Sequence, residues 1–129
     1  MTDFFDTCVF IDYWKGDSAA ISIVNTAKSA PNSVLFSSVS AVELWQYSGL
    51  GRKEEIEYIG LTKFFLKEAP LTLDAGMIAG QWLRPHSRNK RRRLMADALI
   101  SATASLLGAT IYSRNCKDLL KFYGNVVKY

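Results

Sequence analysis

Histidine is nearly absent from this sequence, which has one, His86, in 129 residues. Zinc centres built from several histidines are thereby excluded, and a Ser-His-Asp hydrolase would rest on a single residue in a Pro-containing loop, which argues against it. Cysteine is also scarce. Cys8 and Cys116 show neither CxxC nor Cys/His cluster spacing, so neither a zinc knuckle nor a disulfide framework is expected, and both read as reduced packing residues. No uncharged apolar stretch approaches the ~20 residues that a membrane span needs, and the first residues include Asp3 and Asp6 where a secretory leader carries basic ones. A cytoplasmic protein with no membrane partner is expected. A Gly-rich phosphate loop after the first strand is missing too, which disfavours a Rossmann-like nucleotide binder. Internal repeats, linkers and low-complexity segments are not apparent.

What is present is a chain that is 49% hydrophobic, enough for one core in a single domain spanning 1–129. A net charge of +4 favours a polyanionic partner. Residues 4–11 form an apolar run interrupted by one carboxylate, Asp6. An unpartnered buried carboxylate costs several kcal/mol, so the strand is expected to end at the sheet's carboxyl edge, where Asp6 faces a crevice that holds a cation or ligand. The competing role for Asp6 is as the N-cap of a helix starting near Thr7 or Cys8.

Along the chain, residues 9–15 read as a short helix closed by Gly16, and Asp17 or Ser18 caps a second one. Residues 34–36 are β-rich. Ser40 and Glu43 fit a capping box opening the next helix, and periodic apolar residues predict another helix over 52–66. Pro70 limits the following strand, expected through Leu71 and Leu73, to an edge. Residues 74–83 read as a helix, 88–93 as a dense basic run, and 94–107 as a buried small-residue helix stopped by Gly108. A strand over 110–112, a turn opening a last short helix and a strand over 126–128 complete the chain. Strands alternating with helices imply an α/β fold with a mostly parallel sheet. In such sheets, residues just after the strands converge at the carboxyl edge. Asp6, Glu43, Asp97, Asn115 and Asp118 occupy such positions.

Four segments in this order, Phe5-Asp6-Thr7, Ser38-Val-Ser-Ala-Val-Glu43-Leu, Ala96-Asp97-Ala-Leu-Ile-Ser-Ala-Thr-Ala and Ser113-Arg-Asn115-Cys-Lys-Asp118-Leu, resemble the PIN-domain nucleases, and more narrowly the VapC-type toxins of toxin-antitoxin modules. The resemblance spans almost the whole chain. It implies a three-layer α/β/α sandwich, Mg²⁺- or Mn²⁺-dependent cleavage of RNA, a cognate antitoxin protein and a homodimer. It maps Asp6, Glu43 and Asp97 onto the metal-binding acids. The last acidic position stays open between Asn115 and Asp118, and the segment before Asp97 is more Arg-rich than in many relatives.

Clustered carboxylates repel one another, and a hard divalent ion with oxygen ligands relieves that repulsion. On this reading Asp6 and Asp97 are the principal ligands, Glu43 is a direct or water-mediated one, and Asn115 or Asp118 serves a second site or orients water. Thr7 and Ser113 are hydrogen-bond partners within the substrate site. Arg88, Arg91, Arg92 and Arg93, with Arg84 and Lys90, hold the RNA backbone. Plainer roles compete with each: Glu43 in its capping box, Asp97 as a first-turn acid favoured by the helix dipole, Asn115 and Asp118 as turn residues, and the arginines as a solvated face. A catalytically inactive RNA-binding or protein-interaction module is the alternative function. The aromatics Tyr13, Trp14, Trp45 and Tyr47 read first as core; the resemblance makes the helices carrying them a groove for an antitoxin peptide.

Overall fold

A computed structural model describes residues 2–129. In chain order the elements are β1 (Asp3–Phe5), α1 (Thr7–Trp14), α2 (Ser18–Ser29), β2 (Val34–Ser37), α3 (Ser38–Trp45), α4 (Arg52–Phe64), β3 (Lys67–Ala69), α5 (Leu73–Leu83), α6 (Arg88–Leu107), β4 (Thr110–Tyr112), α7 (Cys116–Leu119) and β5 (Val126–Val127). The strands form one sheet in the order β3-β2-β1-β4-β5, and every pairing is parallel.

Alternation along the short strands divides the apolar residues between the two faces. Phe5, Val34, Phe36 and Tyr112 pack with Val9, Phe10, Val24, Leu44 and Leu61 on one side. Phe4, Leu35 and Ile111 pack with Ile100, Ala104 and Leu119 on the other. Helix α5 lies outside α6, joined to it through Ala75, Ala79, Leu94 and Ala98. Small side chains at that seam let the two backbones approach closely, while the sheet side of α6, through Ile100 and Ala104, is the packing that the composition of residues 94–107 suggested.

Several expected boundaries move, each for a local reason. Proline cannot donate to a ladder, so β3 ends at Ala69, before Pro70, and Leu73 already belongs to α5, whose N-cap Thr72 accepts from the Ala75 amide. The capping box at Ser40 and Glu43 does not form. Ser37 is the cap of α3, accepting from the Val39 amide at 3.0 Å, which places Ser40 and Glu43 inside the helix. The basic run does not precede the small-residue helix; it forms the first turns of the 20-residue α6, capped by Ser87. Asp97 is therefore well inside α6 and is no first-turn acid.

Helix α6 ends at Gly108 with φ 61°, a left-handed conformation that side chains with a Cβ disfavour. Nothing lies within 4 Å of where a Cβ would stand, so only the backbone conformation opposes substitution. Gly108→Ala is expected to lower stability by about 1 kcal/mol, read as a lower urea midpoint with unchanged slope. An unshifted midpoint would mean that the helix end rearranges freely.

Candidate active site

Asp6 directly follows β1, and its amide continues the strand ladder by donating to the Tyr112 carbonyl at 3.1 Å. Its carboxylate is buried, with 4% exposure. The Thr7 amide donates to Oδ1 at 2.8 Å, and the Ser113 hydroxyl donates to Oδ2 at 2.6 Å. Asp6 thus caps α1 and also faces the carboxyl edge; the two roles coincide. Burial pushes its carboxyl above the usual range, opposed by the bonds from Ser113, Thr7 and Cys8.

Glu43 reaches the same edge from α3. Its Oε1 accepts from the Thr7 hydroxyl at 2.6 Å, and Thr7 Oγ1 lies 2.8 Å from the buried Ser40 hydroxyl. With its single proton given to Glu43, Thr7 accepts from Ser40. Ser40 and Glu43 are three residues apart and share a helix face, so one residue after β1 fixes both to the edge of β1. Burial raises the Glu43 carboxyl; the Thr7 bond opposes this and the charge of Asp6 adds to it.

Asp97 approaches from α6, half-buried and with no hydrogen-bond donor among the described residues. Its carboxyl is pushed up to about 7, first by burial, then by the charges of Asp6, Asp118 and Glu43, with Arg93 opposing. Asp97 is thus the acid on which the charges of the other three act. Asp118, in α7, is held low by Lys121, 3.0 Å away, and by Arg93 at 3.5 Å. Asp6, Glu43 and Asp97 form no ion pair among the described residues.

The two candidates for the last position differ in their surroundings, and the charge of Asp118 reaches Asp97. Asn115 is exposed, makes no side-chain cap, and contributes its amide to Ser113 Oγ at 2.8 Å. Thr7 and Ser113, expected in contact with substrate, are buried, and their hydroxyls are committed to Glu43 and Asp6. The arginines do not share one surface. With about 3.6 residues per turn, Arg93 and Lys90 lie on the Asp97 face of α6, whereas Arg88 and Arg92 point away from it; Arg91 donates to the His86 carbonyl at 3.1 Å. Folding the run into a helix is what disperses it.

Three participants escaped the reading of the sequence: Ser40 as a partner of Thr7, Lys121 as a partner of Asp118, and a clasp centred on Arg114. In that clasp Arg114 grips Asp17 through two bonds of 2.9 and 2.8 Å and stacks on Tyr129 at 4.5 Å. The Tyr129 hydroxyl donates to Asp12 at 2.6 Å. The clasp anchors the loop that carries Ser113. Only the i,i+3 spacing of Asp118 and Lys121 signals any of this in sequence.

No three acids among the described residues stand close enough to hold an ion directly. The donor set nonetheless fits a hard divalent cation. It consists of four carboxylates, three of which form no ion pair among the described residues, and Mg²⁺ keeps several waters that span such gaps.

A family model described as PIN domain matches residues 4–120. Among solved structures, the chain is similar to a toxin-antitoxin complex from Klebsiella pneumoniae, with TM-score 0.71 and 21% identity, covering 98% of this chain and 96% of that one. It is also similar to DNA-bound VapBC from Salmonella typhimurium, with TM-score 0.70 and 17% identity, covering 99% and 98%. VapBC2 from Rickettsia felis, bound to a promoter DNA fragment, matches with TM-score 0.66 and 16% identity, covering 100% and 98%. At these identities the likeness is one of fold. No curated protein sequence matches the chain.

Proposed function

The chain belongs to the PIN domain family, and we propose from that premise that it is a divalent-metal-dependent endoribonuclease, the toxin of a toxin-antitoxin pair. One observation carries this reading: Asp97 of α6 feels the charges of Asp6 after β1, Glu43 of α3 and Asp118 of α7, forms neither a hydrogen bond nor an ion pair among the described residues, and is pushed up to about 7. A structural role would have supplied partners for it. Asp6, Glu43 and Asp97 would hold Mg²⁺ or Mn²⁺, with Asp118 alongside. Held there, such an ion would supply charge neutralisation for the acids, polarisation of a scissile phosphate and activation of water. Ser113 and Thr7 keep Asp6 and Glu43 oriented, and the undonated oxygens of Asp97 are free to accept a proton. Arg93, Lys90 and Lys121 at the rim attract the RNA backbone.

The antitoxin partner rests on the structural neighbours and on an apolar surface that a monomer has little reason to expose. Tyr47 is 61% exposed and Trp45 42%, with Val42 beside them, and a groove of about 200 Å³ runs between Trp14, Leu44, Tyr47 and Leu50. A peptide with apolar anchors fits it. We extend the reading to a homodimer, with the exposed Leu73 and Met77 of α5 as its candidate surface. Among the described residues no helix is long and apolar enough to cross a membrane, and a ribonuclease that meets RNA and its antitoxin would work in the cytoplasm.

The test is incubation with a panel of structured RNAs in Mn²⁺, in Mg²⁺ and in chelator. Discrete fragments that appear only with metal are expected. RNA binding without cleavage under every condition would replace the nuclease with a non-catalytic RNA-binding module.

A further inference from the structure

We propose that Arg93 is a displaceable internal counter-ion of the acidic site, sharing Asp97 and Asp118 with the divalent cation and giving way when the cation arrives. The proposal rests on the metal-dependent reading above and deepens it. Helix α6 sets Arg93 one turn before Asp97, on the same face, and its Nη1 lies 3.5 Å from Asp118 Oδ2. Arg93 therefore spans α6 and α7 across the mouth of the site.

The quality of this contact indicates its purpose. At 3.5 Å, with the Arg93 side chain 55% exposed, it lies at the edge of hydrogen-bonding distance and is the kind of pair that opens easily. The protein also contains an arginine built to stay in place: Arg114 grips Asp17 at 2.9 and 2.8 Å and stacks on Tyr129. Arg93 has neither the second bond nor the aromatic platform. Its departure would not strand Asp118, which keeps Lys121 at 3.0 Å.

A dication entering beside Asp97 meets the positive charge of Arg93, which weakens its binding. Repelled in turn, Arg93 swings outward to the rim, where a phosphate can receive it. Occupancy of the site by the cation and capture of the RNA backbone are coupled through one side chain. Arg88 and Arg92, on the far side of α6, have no such role.

The experiment is calorimetric titration of the chelator-stripped full chain with Mn²⁺, for wild type, Arg93→Gln, Arg93→Lys and Arg88→Gln. Arg93→Gln is expected to bind Mn²⁺ about three- to tenfold more tightly, Arg93→Lys to stay near wild type, and Arg88→Gln to stay within about twofold. At saturating Mn²⁺, Arg93→Gln should bind RNA more weakly than wild type. Unchanged or weaker Mn²⁺ affinity in Arg93→Gln overturns the proposal, as does equal tightening in Arg88→Gln, which would reduce the effect to net charge. If wild type binds no Mn²⁺, the metal-dependent reading itself fails and takes this proposal with it. Wild-type binding with an unresponsive Arg93→Gln fails the proposal alone.

Discussion

Asp97→Asn is expected to make the metal-free protein more stable than wild type at pH 8 while abolishing cleavage. The folded carboxyl is pushed from an ordinary 3.8 up to about 7, so the native state holds its proton more tightly than the unfolded chain does. That contribution is fully present below about pH 4 and is lost as pH rises through 7. At pH 8 the wild type carries an ionised, half-buried acid among Asp6, Glu43 and Asp118, and the amide of Asn does not. The shift would correspond to ~4 kcal/mol if fully expressed. Asp97 is partly open to solvent, and screening reduces the expected gain to about 1–2 kcal/mol. The gap between mutant and wild type should close as pH falls toward 4. Mn²⁺ should raise the melting temperature of wild type and leave the mutant unmoved. Cleavage should fall by about a hundredfold or more, the scale seen when an electrostatic stabiliser is removed. Thermal melts at pH 5 and pH 8, with chelator and with Mn²⁺, read the stability and the metal response, and an RNA cleavage assay reads the activity. A mutant less stable than wild type at pH 8, or one still responding to Mn²⁺, would remove Asp97 from the site.

Ser113→Ala should have the opposite sign. Ser113 is fully buried, donates to Asp6 at 2.6 Å and accepts the Asn115 amide at 2.8 Å. Its loss leaves a buried carboxylate short of a charge-assisted bond and frees the turn into α7, an expected loss of about 2–3 kcal/mol at pH 8. The Asp6 carboxyl already sits above its unfolded value, and without Ser113 it sits higher still. The mutant can then escape the penalty by protonating Asp6, so the loss should shrink between pH 8 and pH 5. Urea denaturation at the two pH values measures it. A loss below about 0.5 kcal/mol at pH 8, or one independent of pH, would mean that water replaces the hydroxyl and that Asp6 is less enclosed than it stands here.

The two substitutions separate the ways these acids are held. Asp6 and Glu43 are constrained by neighbouring hydroxyls, whereas Asp97 is constrained by helix α6 alone. That distinction could not be read from the chain. Ser40 and Glu43 spell a capping box, and only the helix start at Ser38, capped by Ser37, turns both side chains toward Thr7. Asp97 looks like a first-turn acid until the basic run before it proves helical, which places it ten residues into α6. The same folding disperses Arg88 and Arg92 away from Arg93, which were adjacent as a charge run. Asn115 and Asp118 are equivalent as turn residues; the fold sets Asn115 exposed before α7 and gives Asp118, within it, ion pairs to Lys121 and Arg93.

By itself the sequence determined the alternation of strands and helices, the parallel sheet that follows from it, and the residue types available at the carboxyl edge. These depend on local periodicity, on glycine and proline placement, and on the cost of burying Asp6 unpartnered. It also set exclusions, since one histidine and two cysteines without cluster spacing cannot build a multi-histidine zinc centre or a zinc knuckle. Only the tertiary structure decided which acids meet, which hydroxyls hold them, and which arginine stands over them. Those outcomes depend on the phase of each helix about its axis: a shift of one residue turns a side chain by about 100°, and nothing in a local pattern sets that phase until the helix packs on the sheet.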